Sequence, residues 1–353
     1  MLYWPQIFQA AQLPTSYVDE PLAQNKHLTL PNEATVHAWL KSSNVPVVGI
    51  GLIEGGRVKQ ARVFGELRPG SAAPNAAIFN LASLTKPVVA MLTLKLVSQG
   101  QWDLDEPLAH YFVEPDLAND PNLIKVTTRL VLTHETGLPN WRGNEPGKKL
   151  WFAFEPGTGV KYSGEGYQYL RQALEHKFKQ PLDELARRLI LEPWGMKDTR
   201  FYWDKTMKES LYAGGHDKDG KALEIEKWYE PNGANLLLTT VEDYSRFGAH
   251  VLRGGDLSKE VYREMVTPHA PAGTDTTKNP FGLCWRLVPA LSNGEYALVH
   301  TGRNPGLATI VILLPQSQRG IVVLTNGENG EEVYKKVVGG SLDLGTEILG
   351  RLQ

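Results

Sequence analysis

The sequence predicts an α+β fold, an α/β sandwich in which an antiparallel sheet is flanked by helices and carries an inserted, mainly helical lobe. Three observations lead there. Strand-like runs open the chain, in VPVVGIGLIEGGRVKQARVFGEL at 45–67. Strand-like runs also close it, in EYALVHTG at 295–302, GLATIVILLP at 306–315 and RGIVVLTNGE at 319–328. Between about 101 and 235, helical spacing and loops dominate. Strands at both ends with helices between them place the sheet outside the insertion. The expected division is therefore 1–82 with 235–353 for the sheet lobe and 83–234 for the helical lobe, with the active site between the two. Pro5, Pro14, Pro21 and Pro31 make 1–31 an extended arm.

Each element has a local reason. Asn32 is an N-cap for a short helix reaching Ser42. Gly55-Gly56 is the turn of a hairpin. Residues 81–100, LASLTKPVVAMLTLKLVSQG, read as a helix apolar on every side, which marks a core helix. With Ser83 as its N-cap, Pro87 falls in the first turn, where a missing N–H costs nothing, and Gly100 closes it. VTTRLVLTHETGLP at 126–139 reads as a helix stopped by Gly-Leu-Pro. Tyr167, Leu170, Leu174 and Phe178 keep helical spacing, as do Leu182, Leu185 and Leu189. Thr240 and Asp243 open another helix as a capping box. A last helix starts near Glu331.

Bulk properties exclude several classes. The net charge of −2 gives no field for nucleic acid or an anionic membrane. No apolar run reaches the ~18–20 residues of a membrane-spanning helix. The one cysteine, Cys284, lies in the strand-like FGLCWRL and reads as a buried small hydrophobe. The histidines lack metal-site spacing, and HDKDG at 216–220 reads as a polar turn. No cofactor is implied. The opening MLYWPQIFQAAQ lacks the basic and apolar regions of a signal peptide. A periplasmic or secreted location, with a signal removed, is preferred to a cytoplasmic one.

Chemistry concentrates in three clusters. Ser83 and Lys86 stand three apart, so on a helix they share one face. A serine is a weak nucleophile until a neighbouring base takes its proton, and a neutral lysine is such a base. Tyr162 sits on a Gly-rich loop before a helix, where a lysine cation would lower its pKa and let it carry protons. His300-Thr301-Gly302 ends an apolar strand, with Gly302 allowing close approach to the backbone. The N–H groups of Ser83 and Arg303 pair as an oxyanion hole. Trp141, Trp203 and Trp228 are candidates for an apolar pocket wall.

Together these clusters resemble the penicillin-recognising serine hydrolases, which include class C β-lactamases, D-alanyl-D-alanine carboxypeptidases, D-aminopeptidases and family VIII esterases. The family order is Ser-x-x-Lys, Tyr-x-Asn, then Lys/His-Thr-Gly; this chain has SLTK at 83–86, YSG at 162–164 and HTG at 300–302. FNLASLTKP, EPWGMKDTRF and LLLTTVEDYSRF resemble the family's connecting segments. The resemblance implies Ser83 as the acylated nucleophile, Lys86 and Tyr162 sharing proton transfer, and His300 and Thr301 beside the substrate. It implies an ester, amide or short-peptide substrate; the charge balance implies no nucleic acid partner, and a monomer is favoured with the oligomeric state left open. Two departures stand out. Gly164 replaces the Asn that donates to a substrate amide, and His300 replaces the lysine usual in class C β-lactamases. Small esters or D-amino-acid amides are therefore expected ahead of β-lactams or D-alanyl-D-alanine. A non-catalytic penicillin- or peptidoglycan-binding or sensor domain is the rival from another class.

Overall fold

The computed structural model describes residues 28–271 and 281–352. The expected arm lies outside these residues up to position 27.

The first two strands are β1 (Val47–Glu54) and β2 (Arg57–Arg68). Their hairpin closes at Glu54 opposite Arg57, with Gly55 and Gly56 at φ of 59° and 64°. Two positive φ values in succession define the turn that suits strand twist, and glycine adopts them without a Cβ clash. Short β3 (Ser71–Ala72) and β4 (Phe79–Asn80) follow, and β4 pairs with β5 (Leu238–Thr239). The C-terminal strands are β6 (Arg286–Val288), β7 (Ala297–Asn304), β8 (Leu307–Leu314) and β9 (Arg319–Thr325). The main sheet has seven strands in the order β3-β2-β1-β9-β8-β7-β6, antiparallel throughout. Pairing of β1 with β9 joins the two ends of the chain.

The helices are α1 (Glu33–Ser42), α2 (Thr85–Ser98), α3 (Thr128–Leu132), α4 (Gly164–Phe178), α5 (Leu182–Ala186), α6 (Val241–Leu252), α7 (Lys259–Val266), α8 (Gly330–Ser341) and α9 (Gly345–Arg351). Two apolar clusters lie on opposite faces of the sheet. Strand alternation sends Val48, Ile50 and Leu52 of β1 to one, beside Val36 of α1, Val337 of α8 and Ile348 of α9. Val47 and Ile53 go to the other, with α2, α4 and α6. Asn32 caps α1, its side chain accepting from Thr35 N–H at 3.2 Å. Thr240 caps α6 likewise, but Asp243 does not reach back; its carboxylate accepts from Asp198 N–H and the Thr199 hydroxyl.

Several local expectations are corrected. Ser83 is not an N-cap: a single 3-10 turn, Ala82–Leu84, precedes α2. Pro87 still falls in the first turn, and α2 ends as expected, with Gly100 at φ 67° and the N–H groups of Gly100 and Gln101 bonded to the Val97 and Leu96 carbonyls. The helix expected to stop at Gly137 ends at Leu132, because His134 turns to φ 62°. Residues 300–302 lie inside β7, not at its end. Cys284 lies before β6 at φ 79°. The last helix is two, separated near Leu342–Leu344.

Helix α6 packs directly on β1 because Gly49 and Gly51 leave room. A Cβ at Gly51 would lie 1.9 Å from Ser245 Oγ and 3.1 Å from its Cβ. Gly51→Val is expected to lower stability by about 1–3 kcal/mol, the usual cost of overpacking. Urea denaturation measures this, and an unchanged midpoint would mean that α6 yields freely.

Candidate active site

The turn that carries Ser83 is held from several sides. Asn80 Oδ1 accepts from Ala82 N–H at 2.8 Å, and Leu81 N–H donates to Leu237 O at 2.9 Å. The Thr85 hydroxyl donates to Ala82 O at 2.7 Å and accepts from Leu237 N–H at 3.0 Å. Ala82 adopts φ 47°, a conformation that costs a non-glycine residue about 1–2 kcal/mol and persists only when its surroundings fix it. The strain lies directly before the serine.

One turn on, Lys86 is fully buried at the start of α2. Its Nζ is 3.1 Å from Ser83 Oγ and 2.9 Å from the carbonyl of Ala234. Tyr162, Tyr167 and Trp141 surround it, with ring centroids 4.7, 5.6 and 6.0 Å from Nζ. Burial lowers its pKa from 10.5 to about 7, against a smaller opposing effect of Cys284. Burial also pushes the Cys284 thiol up to about 12. At neutral pH that thiol is uncharged and does not restore the lysine's ordinary basicity. A neutral amine is thus accessible near pH 7, within hydrogen-bond reach of the serine hydroxyl.

Tyr162 meets the pair through its hydroxyl at Ser83 and its ring at Lys86, while the residue remains 38% exposed. Its pKa moves opposite to the expected direction. Burial raises it well above the usual tyrosine range, and interaction with the Ser83 hydroxyl only partly offsets this. The phenol is therefore a proton donor at neutral pH, not a phenolate base. Its ring lies against His134, centroids 4.3 Å apart. His134 Nδ1 accepts from Ser163 N–H at 3.2 Å, which places the ring proton on Nε2, a buried atom without a protein partner. Burial, then the charges of Lys86 and His300, hold His134 well below its usual pKa.

The third cluster reaches the serine through β7. Pro305-Gly306 forms the β7–β8 turn, with Gly306 at φ 76° and Asn304 opposite Leu307. In such a two-residue hairpin the closing pair is hydrogen-bonded, and so are alternate pairs behind it. Thr301 and Arg303 therefore direct their N–H groups away from β8. That side is open, because β6 pairs with β7 only up to Val299. Gly302 is required by the protein itself, not by an approaching substrate. A Cβ there would lie 2.4 Å from Leu81 O and 3.2 Å from Ser83 N. The missing side chain lets β7 press against the serine turn, with Gly302 beside the Ser83 amide. Thr301 is exposed, while His300 is buried. His300 Nδ1 donates to its neighbour's carbonyl, Thr301 O, at 2.9 Å. Burial, followed by the charge of Lys86, lowers its pKa to about 3. It is uncharged at neutral pH and offers no cation to a substrate carboxylate. The Arg303 side chain points to Glu328 and Glu331.

At the fourth side, Gly164 opens α4. Glu165 is buried and bonds Arg142 through its backbone N–H at 3.0 Å and its guanidinium at 2.9 Å. Of the three tryptophans, Trp141 alone joins the site. Trp203 is 7% exposed in a separate apolar cluster with Ile78, Met207 and Leu238, and Trp228 is 54% exposed on the surface. The sequence reading missed the Ala234 carbonyl and His134. A backbone carbonyl leaves no mark in sequence, and His134 is signalled only by the THETGLP segment taken as a helix end. The HDKDG stretch is a polar turn: Asp217 Oδ1 accepts from Asp219 and Lys221 N–H. No group of three or more His, Cys, Asp or Glu among the described residues could hold a metal ion. No helix among them is long and apolar enough to cross a membrane.

Comparison with known proteins places this geometry in context. The family model described as Beta-lactamase matches residues 32–338. The chain is 22% identical to Protein flp of Staphylococcus aureus (strain MW2), an alignment covering 84% of this chain and 63% of that protein. The chain thus spans less than two thirds of the flp proteins' length. It is also 22% identical to the D-alanyl-D-alanine-carboxypeptidase/endopeptidase AmpH of Escherichia coli K12, covering 99% of this chain and 97% of AmpH. Among solved structures, the octameric penicillin-binding protein homologue from Pyrococcus abyssi superposes with a TM-score of 0.71 at 22% identity, over 84% of this chain and 73% of that one. D-alanine carboxypeptidase AmpC from Burkholderia cenocepacia gives 0.70 at 20% identity, over 88% and 100%. The octameric neighbour lends no support to the expected monomer. With an antiparallel seven-stranded sheet, the two structural likenesses and a family match over most of its length, the chain belongs to the Beta-lactamase family.

Proposed function

We propose that this protein is a serine hydrolase that forms an acyl-enzyme on Ser83, in a cleft between a sheet lobe (1–82 and 235–353) and a helical lobe (83–234). The observation that carries the reading is the neutral-capable amine of Lys86, 3.1 Å from Ser83 Oγ. Lys86 takes the hydroxyl proton as Oγ attacks the substrate carbonyl. The Ser83 and Arg303 N–H groups bind the resulting oxyanion. The protonated Tyr162 hydroxyl gives its proton to the leaving group and regains one from the Lys86 ammonium. Water then reverses the sequence to release the acid.

Small esters fit the substrate side best. An uncharged His300 gives no ion pair to a free C-terminal carboxylate, and Gly164 gives no amide donor. Similarity to AmpH, whose name assigns it D-alanyl-D-alanine substrates, supports carboxypeptidase action as the second reading. A D-alanyl-D-alanine peptide cleaved faster than p-nitrophenyl butyrate would favour it. β-Lactamase turnover is the further alternative within the class, and a penicillin- or peptidoglycan-binding sensor would show a persistent adduct without turnover.

Three outcomes are expected. During p-nitrophenyl butyrate turnover, intact mass and peptide mapping should find a transient butyryl group on Ser83. Ser83→Ala should lose about 10⁴-fold in rate, as expected for one member of a coupled catalytic unit; near-normal turnover in that variant would sink the mechanism. The second concerns pH. Because only neutral Lys86 accepts the proton, kcat/KM should rise with pH and level off above an inflection near 7. A flat profile from pH 5 to 9 would contradict the base assignment.

The third concerns stability. The folded pKa of Lys86, about 7, lies below its ordinary value of 10.5. Between these two values the unfolded chain binds more protons, so this contribution to stability rises with pH across the window. The cost of burying the charge is fully present below pH 7 and gone above 10.5. Lys86→Met should therefore abolish activity yet raise the melting temperature more at pH 6 than at pH 10. The gain at pH 6 should exceed that at pH 10 by on the order of 4 kcal/mol. Thermal melts at the two pH values check this, and an equal change at both would contradict it.

A further inference from the structure

The glycine at 164 has a steric cause, and that cause faces the reacting atoms. Its φ is not in the left-handed region, so the backbone does not require glycine. Space does. A Cβ at 164 would lie 2.7 Å from Trp141 Cη2, 2.9 Å from Trp141 Cζ2 and 2.9 Å from Asn140 O. The indole occupies the volume into which a side chain at 164 would extend. It is also fixed there. Asn140 O accepts from the N–H groups of Gly164 and Glu165, both at 3.1 Å, and Asn140 Oδ1 accepts from Gly164 N–H at 2.9 Å. On the other side of the ring, Arg142 is tied to Glu165, Glu114 and Asp116. The ring so held is half-buried, with its centroid 6.0 Å from Lys86 Nζ.

We propose that Trp141 is the specificity-determining residue for the acyl group, selecting esters with an apolar acyl chain and no amide next to the reacting carbonyl. The proposal rests on the serine hydrolase reading and names its substrate class. An indole face offers a chain dispersion and removal from water, which grow with each methylene. It offers an acylamino group nothing in return for the water that group loses. Burying one methylene is worth about a fourfold gain in kcat/KM until the wall is covered.

The test compares p-nitrophenyl acetate, butyrate and hexanoate with the p-nitrophenyl ester of N-acetylglycine. The proteins are wild type, W141F, W141A and the double variant W141A/G164N. Wild type should gain about fourfold per methylene from acetate to butyrate. W141F should keep most of that slope, because it keeps an aromatic face. W141A should flatten it to less than twofold per methylene. The double variant should raise the N-acetylglycyl to butyryl rate ratio at least tenfold. An undiminished slope in W141A would overturn the proposal. So would a W141F that behaves like W141A, since that assigns the effect to the indole N–H. Labelling of Ser83 by a fluorophosphonate, read by mass, separates the two levels. No label on wild type defeats the hydrolase reading and this proposal with it. Full label on every variant with unchanged chain-length preference defeats this proposal alone. Melting curves confirm folding, and W141F serves where the alanine variants fail to fold.

Discussion

An amine with no carboxylate beside it among the described residues, buried at the first turn of α2, is the condition around which the rest of this molecule is arranged. Among the described residues, Lys86 has two polar contacts, the Ser83 hydroxyl and the Ala234 carbonyl, and three aromatic rings. Removing it from water favours the neutral form, against a smaller opposing effect of Cys284, and brings its pKa to about 7. The same burial keeps His300 and His134 neutral and the Tyr162 phenol and Cys284 thiol protonated. These four groups thus carry no charge at neutral pH, and desolvated dipoles act most strongly on the charge that develops as the reaction proceeds.

Such a site needs rigid support, and the main sheet supplies it. The hydroxyl of Thr309 on β8 donates to Leu81 O at 3.1 Å, tying the serine turn to the strands. Tyr244 of α6 donates to Leu84 O at 2.8 Å from the other side. The segment before β5 closes the floor. Asn232 Oδ1 accepts from Ala234 N–H, and Asn235 and Asn304 exchange amide hydrogen bonds. Except for the local Asn232–Ala234 bond, these contacts join parts of the chain far apart in sequence. The geometry at Ser83 therefore depends on the whole fold being closed.

Much of this was legible before any coordinates. Terminal strands, the apolar α2, the Gly55-Gly56 hairpin and the Asn32 and Thr240 caps follow from periodicity and turn chemistry, which are local. The clusters at 83–86, 162 and 300–302 were readable because their side chains carry the chemistry. What was not legible came from tertiary contact. The 3-10 turn at Ser83 exists because Asn80, Thr85 and Leu237 fix a positive φ at Ala82. The direction of the Tyr162 pKa shift depends on how deeply its hydroxyl is buried. Gly164 reads as the loss of an amide donor, but only packing shows that Trp141 takes its place. Gly302 reads as room for a ligand and is instead room for the Leu81 carbonyl.

The pairing of β1 with β9 also bears on how the chain is made. Val48 meets Thr325, so the inner edge of β1 must wait for about 280 more residues to be synthesised. At ribosomal rates of roughly 5–20 residues per second this delay is on the order of 15–55 s. During that time the β1–β2 hairpin is a ribbon with one unsatisfied edge and with Val48, Ile50 and Leu52 uncovered. Helices α8 and α9, which cover those residues, emerge later still. Such topology folds slowly and exposes a sticky strand while it does so. The nascent hairpin thus presents a surface that a chaperone would shield.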